Sequence, residues 1–230
     1  MSELDRAVVV ELPLRGEWTI ERTPAHRIPS HGTDLLGLRY AYDFVRTDHR
    51  PGHHLHRAGT LRWLLIGGRT RDCFGWGQPV HAALGGEVVD AVDGEPERPW
   101  VHVGRESWVA LRNVLAFNRD PGSLDRTRLA GNHVLTRTGD TYALYAHLAP
   151  GSVAVAQGQD ISTGDTLGRV GHTGNSTAPH LHFQLMDSTT LDAHGTPCAF
   201  AEYLAENDDG SWQRVERGIP HRHQRIRSLP

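Results

Sequence analysis

Short apolar runs separated by Gly, Pro, Asp and Asn fill this chain, and most alternate in a two-residue rhythm. That rhythm predicts β-strands. Candidate strands cover residues 8–12, 39–45, 79–83, 87–92, 133–138, 141–147, 152–156, 166–170 and 181–186. In the second of these, Ala41, Asp43 and Val45 share one face. Gly85-Gly86 reads as a hairpin turn between the third and fourth. Turn signals of this density predict a mainly β, largely antiparallel sheet. An apolar run at 61–66 reads as a further strand. Two segments depart from the rhythm. Trp108, Leu111 and Leu115 recur at helical spacing within 105–117, and residues 199–206 read as a short second helix.

Composition narrows the class. A chain of 230 residues can bury a sizeable core as one domain. The predicted division is a single domain 1–230, with a catalytic core at about 29–188, a helical insertion at about 95–130 and a C-terminal extension at about 199–230. The net charge of -3 gives no case for nucleic-acid binding, and the basic stretch 221–227 reads as a solvated tail. No apolar run reaches membrane-spanning length. All the basic residues other than His are Arg. Cys73 and Cys198 have no metal-type spacing and read as buried thiols.

The chemistry is expected to lie among the 16 histidines. In Ser176-Thr-Ala-Pro-His180-Leu-His182-Phe-Gln-Leu185 two imidazoles share one strand face, about 7 Å apart along the strand. One of them can bind a metal while the other faces a reacting group. Asp43 lies between Tyr42 and Phe44 in an apolar strand. A carboxylate there is costly unless it is paired with an Arg or bound to a metal. The histidines His49, His53, His54 and His56 read as part of a solvated loop rather than a second metal site.

The sequences His180-Leu-His182, Leu144-Tyr-Ala-His147-Leu and Gly174-Asn-Ser-Thr-Ala-Pro-His180 resemble those of the lysostaphin/LytM-type zinc metallopeptidases. These bacterial enzymes cut peptide cross-links of peptidoglycan and share a duplicated hybrid motif fold. The likeness runs nearly unbroken from Gly131 to Leu185 and resumes upstream in Gly77-Gln-Pro-Val-His-Ala, Gly85-Gly-Glu-Val-Val and Tyr40-Ala-Tyr-Asp43-Phe. About half of the chain is covered. The resemblance implies an antiparallel sheet or β-sandwich core with one or two short inserted or terminal helices. It also implies one Zn2+ per chain, held by His31, Asp43 and His182. His147 and His180 would then flank the reacting water and the substrate carbonyl, one as general base and the other as oxyanion or leaving-group partner. The spacing departs from the family pattern, because eleven residues separate His31 from Asp43. Asp34 is the alternative carboxylate and His26 the alternative imidazole.

The expected activity is zinc-dependent endopeptidase hydrolysis of peptidoglycan cross-links or related peptides by a metal-activated water. The first alternative is a catalytically inactive LytM-like domain acting as a binding or activating partner. The second is a sugar-phosphotransfer carrier domain. A monomer is expected, with a peptide or peptidoglycan-derived substrate and no nucleic-acid or membrane partner. The N-terminus has no basic stretch followed by a long apolar run, so it reads as cytoplasmic, with action at the cell wall by another route left open.

Overall fold

The computed structural model describes residues 3–48, 54–58, 60–102, 104–106, 108–109 and 126–229. The first strands are β1 (Val8–Val10), β2 (Glu17–Arg22), β3 (Tyr42–Val45), β4 (Gly68–Arg69), β5 (Pro79–His81), β6 (Gly86–Val92) and β7 (Trp100–Val101). After the insertion come β8 (Asn132–Thr138), β9 (Thr141–Leu148), β10 (Asp160–Ile161), β11 (Thr166–Arg169) and β12 (Leu181–Met186). The C-terminal region adds β13 (Gly195–Thr196), β14 (Cys198–Glu206), β15 (Trp212–Gly218) and β16 (Arg225–Arg227). Most of these join one sheet in the order β1-β14-β16-β2-β3-β12-β9-β8-β6-β10. Its pairs are antiparallel, as the turn density predicts, except β1 with β14. The fold is therefore mainly β. The sheet also draws on residues on both sides of 29–188, through β2 and β14–β16.

Alternation along β12 gives it two different faces. Leu181, Phe183 and Leu185 enter the main core with Tyr42, Phe44 and Tyr145. The Phe183 ring lies 5.2 Å from Tyr145 and 6.2 Å from Phe200. Met186 on the opposite face packs with Leu135, Leu144 and Ala146 in a second cluster. His182 and Gln184 lie on this second face by the same two-residue period. Every residue of β12 is buried, and the site face forms the floor of a pocket.

Several sequence expectations need correction. Residues 61–66 form part of a helix, Thr60–Ile66, and not a strand. Leu65 and Ile66 are exposed, as one side of a surface helix allows, and a short apolar run does not distinguish helix from strand by period alone. Residues 199–206 belong to strand β14 and not to a helix. Their Ala, Glu and Leu content favours helix locally, but pairing with β1, β15 and β16 overrides it. The stretch 152–156 is not a strand, although Ala154 N donates to Leu167 O. Gly85-Gly86 is no hairpin turn, since β5 pairs with β11 and β6 with β8 and β10. A side chain on Gly86 would collide with Arg137 O, so this position serves close backbone approach. In the expected helix 105–117, residues 104–106 and 108–109 are helical, and 110–117 lie outside the described residues. His49 and His53 also lie outside them.

Candidate metal centre

Register places the central groups. His182 on β12 lies directly opposite Asp43 on β3 and Ala146 on β9. Directly opposed residues of an antiparallel pair point to the same face. Asp43 therefore leaves its neighbours Tyr42 and Phe44 in the core and faces His182. His31 arrives from the loop before the 3-10 helix Leu35–Tyr40. His31 Nε2 lies 3.1 Å from Asp43 Oδ2, and His182 Nδ1 lies 2.9 Å from Asp43 Oδ1. The donor atoms of His31, Asp43 and His182 lie within 4.8 Å of one another. Asp34 is elsewhere, exposed and 2.6 Å from Arg39 Nη1. His26 is also exposed, beside Arg222.

His147 reaches the same face by breaking alternation. Leu144 and Ala146 already line the pocket, so a regular strand would turn His147 away from it. Its backbone instead takes φ 64°, and the β8–β9 register shifts at the adjoining end. Left-handed backbone at a non-glycine residue is strained and concentrates at functional sites. The His147 and His180 rings lie 4.6 Å apart, and His180 Nε2 is 3.5 Å from Asp43 Oδ1.

The outer hydrogen bonds set the tautomers. Ser30 Oγ donates to Leu38 O, so it accepts from His31 Nδ1 at 3.0 Å. Gln184 Nε2 donates to Leu36 O, which leaves Gln184 Oε1 to accept from His182 Nε2 at 2.9 Å. When both rings are neutral, their unprotonated nitrogens, His31 Nε2 and His182 Nδ1, both face the carboxylate of Asp43. Lone pairs at hydrogen-bond distance from a carboxylate repel it unless a cation lies among them. Two neutral imidazoles and one carboxylate are a donor set that zinc takes, so the residues fit the metal that the resemblance implies. His147 Nδ1 donates to Thr173 O and His180 Nδ1 to Ala178 O, so both present Nε2 to the pocket.

Charge follows this arrangement. With these rings protonated, burial still pulls the Asp43 carboxyl upward, but His31, His180 and His182 outweigh it and hold the pKa well below the usual range. Burial depresses His147, reinforced by His180 and His182. Burial likewise lowers His31, against the pull of Asp43.

Several partners escaped the sequence reading. His180 Nδ1 lies 3.1 Å from Ser176 Oγ, which lies 2.9 Å from His172 Nδ1. Arg98 donates to Gly174 O and Ser176 O and pairs with Glu106 at 2.8 Å, fastening this loop from the insertion. Arg22 Nε lies 3.4 Å from Asp43 Oδ2, so an Arg partner stands beside this carboxylate as well as the histidines. Nothing near Arg22, Arg98 or Glu106 in the sequence signals these contacts. His56 is structural: Nε2 meets Arg69 O, and Nδ1 accepts from Ala58 N. Among the described residues, only His31, Asp43 and His182 group as a metal cluster. Cys73 and Cys198 are buried and free.

Residues 121–193 match the model of peptidase family M23. This stretch is similar to the M23 peptidases. It carries His147, His180 and His182, whereas His31 and Asp43 lie upstream of it. The chain is 43% identical over 58 residues to peptidoglycan DD-endopeptidase ShyA of Vibrio cholerae serotype O1, which is 25% of this chain and 13% of that relative. Among solved structures it is similar to the catalytic domain of lysostaphin from Staphylococcus simulans. That likeness has 19% identity and a TM-score of 0.38, covering 79% of this chain and 88% of that one. A zinc-containing peptidase from Vibrio cholerae gives 17% identity and a TM-score of 0.39, covering 78% of this chain and 37% of that one. The family-model match bears out the resemblance read from the motifs, at the level of the M23 peptidases.

Proposed function

We propose that this chain is a zinc-dependent endopeptidase that hydrolyses peptide bonds in peptidoglycan cross-links or related peptides. One observation carries the reading. His31 Nε2 and His182 Nδ1, the unprotonated nitrogens of the neutral rings, turn toward Asp43, beside a second histidine pair that does not share these outer bonds. Bound zinc supplies Lewis acidity for a carbonyl and brings the pKa of water toward neutrality. His31, Asp43 and His182 would hold it. His147 and His180 each keep Nδ1 engaged with a backbone carbonyl, so proton traffic runs through Nε2. One Nε2 accepts the proton of the attacking water, and the other donates toward the carbonyl oxygen or the leaving amine. The wall of Leu36, Leu129, Leu144 and Met186 keeps bulk water from the peptide.

The decisive experiment compares zinc content and peptidoglycan digestion in two variants. His182→Ala is expected to lose zinc and activity together. His180→Ala is expected to retain zinc while turnover falls at least about a hundredfold, the scale of one positioned acid or base. Full zinc retention by His182→Ala would sink the ligand assignment. A wild-type protein that holds zinc and cleaves no peptide would instead support a binding domain of the same fold.

A further inference from the structure

We infer that Arg22 makes the pocket selective for a peptide that carries a carboxylate near the bond to be cut. The inference rests on the endopeptidase reading for its substrate, but on separate residues for its selectivity. Arg22 ends β2, a strand outside the M23 segment. Along β2 and β3, Thr19 opposes Val45 and Ile20 opposes Phe44. Regular continuation would set Glu21 against Asp43, two carboxylates face to face. The register shifts instead between Ile20 and Arg22, and Arg22 becomes the residue opposite Asp43. A bulge of this kind re-aims a side chain. Here it exchanges an acid for a base at the wall of the pocket. Glu21 is left outside, paired with Arg222 and His223.

The guanidinium is only partly committed. Its Nε faces Asp43, its side chain is 46% exposed, and no partner within the described residues engages Nη1 or Nη2. Arg22 lines the same pocket of about 370 Å³ as His31, His147 and His180. Among the described lining residues, Arg22 and Asp43 are the only Arg, Lys, Asp or Glu. Asp43 is already enclosed by three histidines. Arg22 is therefore the one non-histidine ionic group left to address a ligand. With a divalent cation in place, Asp43 offsets one of its charges and Arg22 adds another, so the pocket is net cationic. A fork with two free nitrogens matches a carboxylate in bidentate geometry. The carboxylate can be a free C-terminus or an acidic side chain.

Three short acetylated peptides distinguish these cases: one with a free C-terminal carboxylate, its C-terminal amide, and an amidated peptide with an internal Glu. Their affinities are measured by calorimetry on zinc-loaded and metal-free protein, for the wild type, Arg22→Gln and Arg22→Lys, with thermal melting as the check on folding. Wild-type protein is expected to bind one carboxylate peptide about tenfold tighter than the neutral amide, the scale of one charge-assisted contact. The peptide showing the preference identifies the source of the carboxylate. Arg22→Gln is expected to abolish most of the preference and Arg22→Lys to retain part of it. Three results overturn the inference: a preference intact in Arg22→Gln, an equal loss for charged and neutral peptides, or no binding of any peptide. An equal loss would make Arg22 a support for Asp43 alone. Cleavage without charge preference defeats this inference and leaves the peptidase reading standing. Charge preference without cleavage of any peptide does the reverse.

Discussion

Gln184 is oriented by its own amide bond to Leu36 O, and this decides which nitrogen of His182 carries the proton. Ser30 does the same for His31 through Leu38 O. Such outer partners fix the tautomer and ring orientation of a metal-binding imidazole, and their loss weakens metal affinity by about tenfold to a hundredfold. Gln184→Leu keeps the volume and removes the acceptor. It is expected to lower zinc affinity on that scale, read by competition with a chelator, and unchanged affinity would show that the tautomer is set elsewhere. At this scale, the family motifs pointed to His147, His180 and His182. Asp43 stood out because a carboxylate amid Tyr42 and Phe44 needs a partner. Gln184 was visible only as a polar residue near a motif. Ser30 and Arg22 left no mark, because their roles depend on which strand or loop lies next to them.

Strand β12 joins chemistry to packing by alternation. His182, Gln184 and Met186 line the pocket, while Leu181, Phe183 and Leu185 fill the core behind it. Phe183 is fully buried among Tyr145 and Phe200. Phe183→Ala is expected to cost about 3–5 kcal/mol in urea unfolding, as large aromatic truncations in cores do. A loss under about 1 kcal/mol would mean that the core closes over the gap. The element also explains why β12 was legible: alternation and motif agree from Leu181 to Leu185. The segments 61–66 and 199–206 were not legible, because short runs of Leu, Ala and Glu suit either structure. Only neighbouring elements decide between them. His147 is a related case at the end of β9. Its motif marks it, but its left-handed backbone, which turns it into the pocket, comes from the shifted pairing with β8.

Across the molecule, the insertion is tied to the centre through Arg98, which buried Glu106 holds by an ion pair within the insertion. Glu106 pairs with Arg98, which in turn holds the carbonyls of Gly174 and Ser176 ahead of His180. Gly174 allows that loop to pack backbone to backbone on Gly131, where a side chain would collide with Gly131 N. Burial pushes the Glu106 carboxyl upward, but His172, Arg105 and Arg98 outweigh it and lower its pKa from 4.5 to about 2. The folded state therefore gains stability from Glu106 above about pH 4.5, and loses it as the pH falls toward about 2. Glu106→Gln is expected to be less stable than wild type at neutral pH by about 3 kcal/mol, the scale of breaking a buried pair. The difference should shrink as pH falls below about 4.5, followed by denaturant melts across that range. A gap that stays constant with pH would remove Glu106 from the acid response. The sequence by itself determined the β-rich class, the M23 motifs and the three histidines that those motifs carry, since local alternation and spacing are written residue by residue. Tertiary structure alone decided that Arg22 replaces Glu21 opposite Asp43, and that Arg98 and Glu106 brace the loop of His180. Each of these depends on strand register or on contacts between residues far apart in the chain, and neither is encoded in any short stretch.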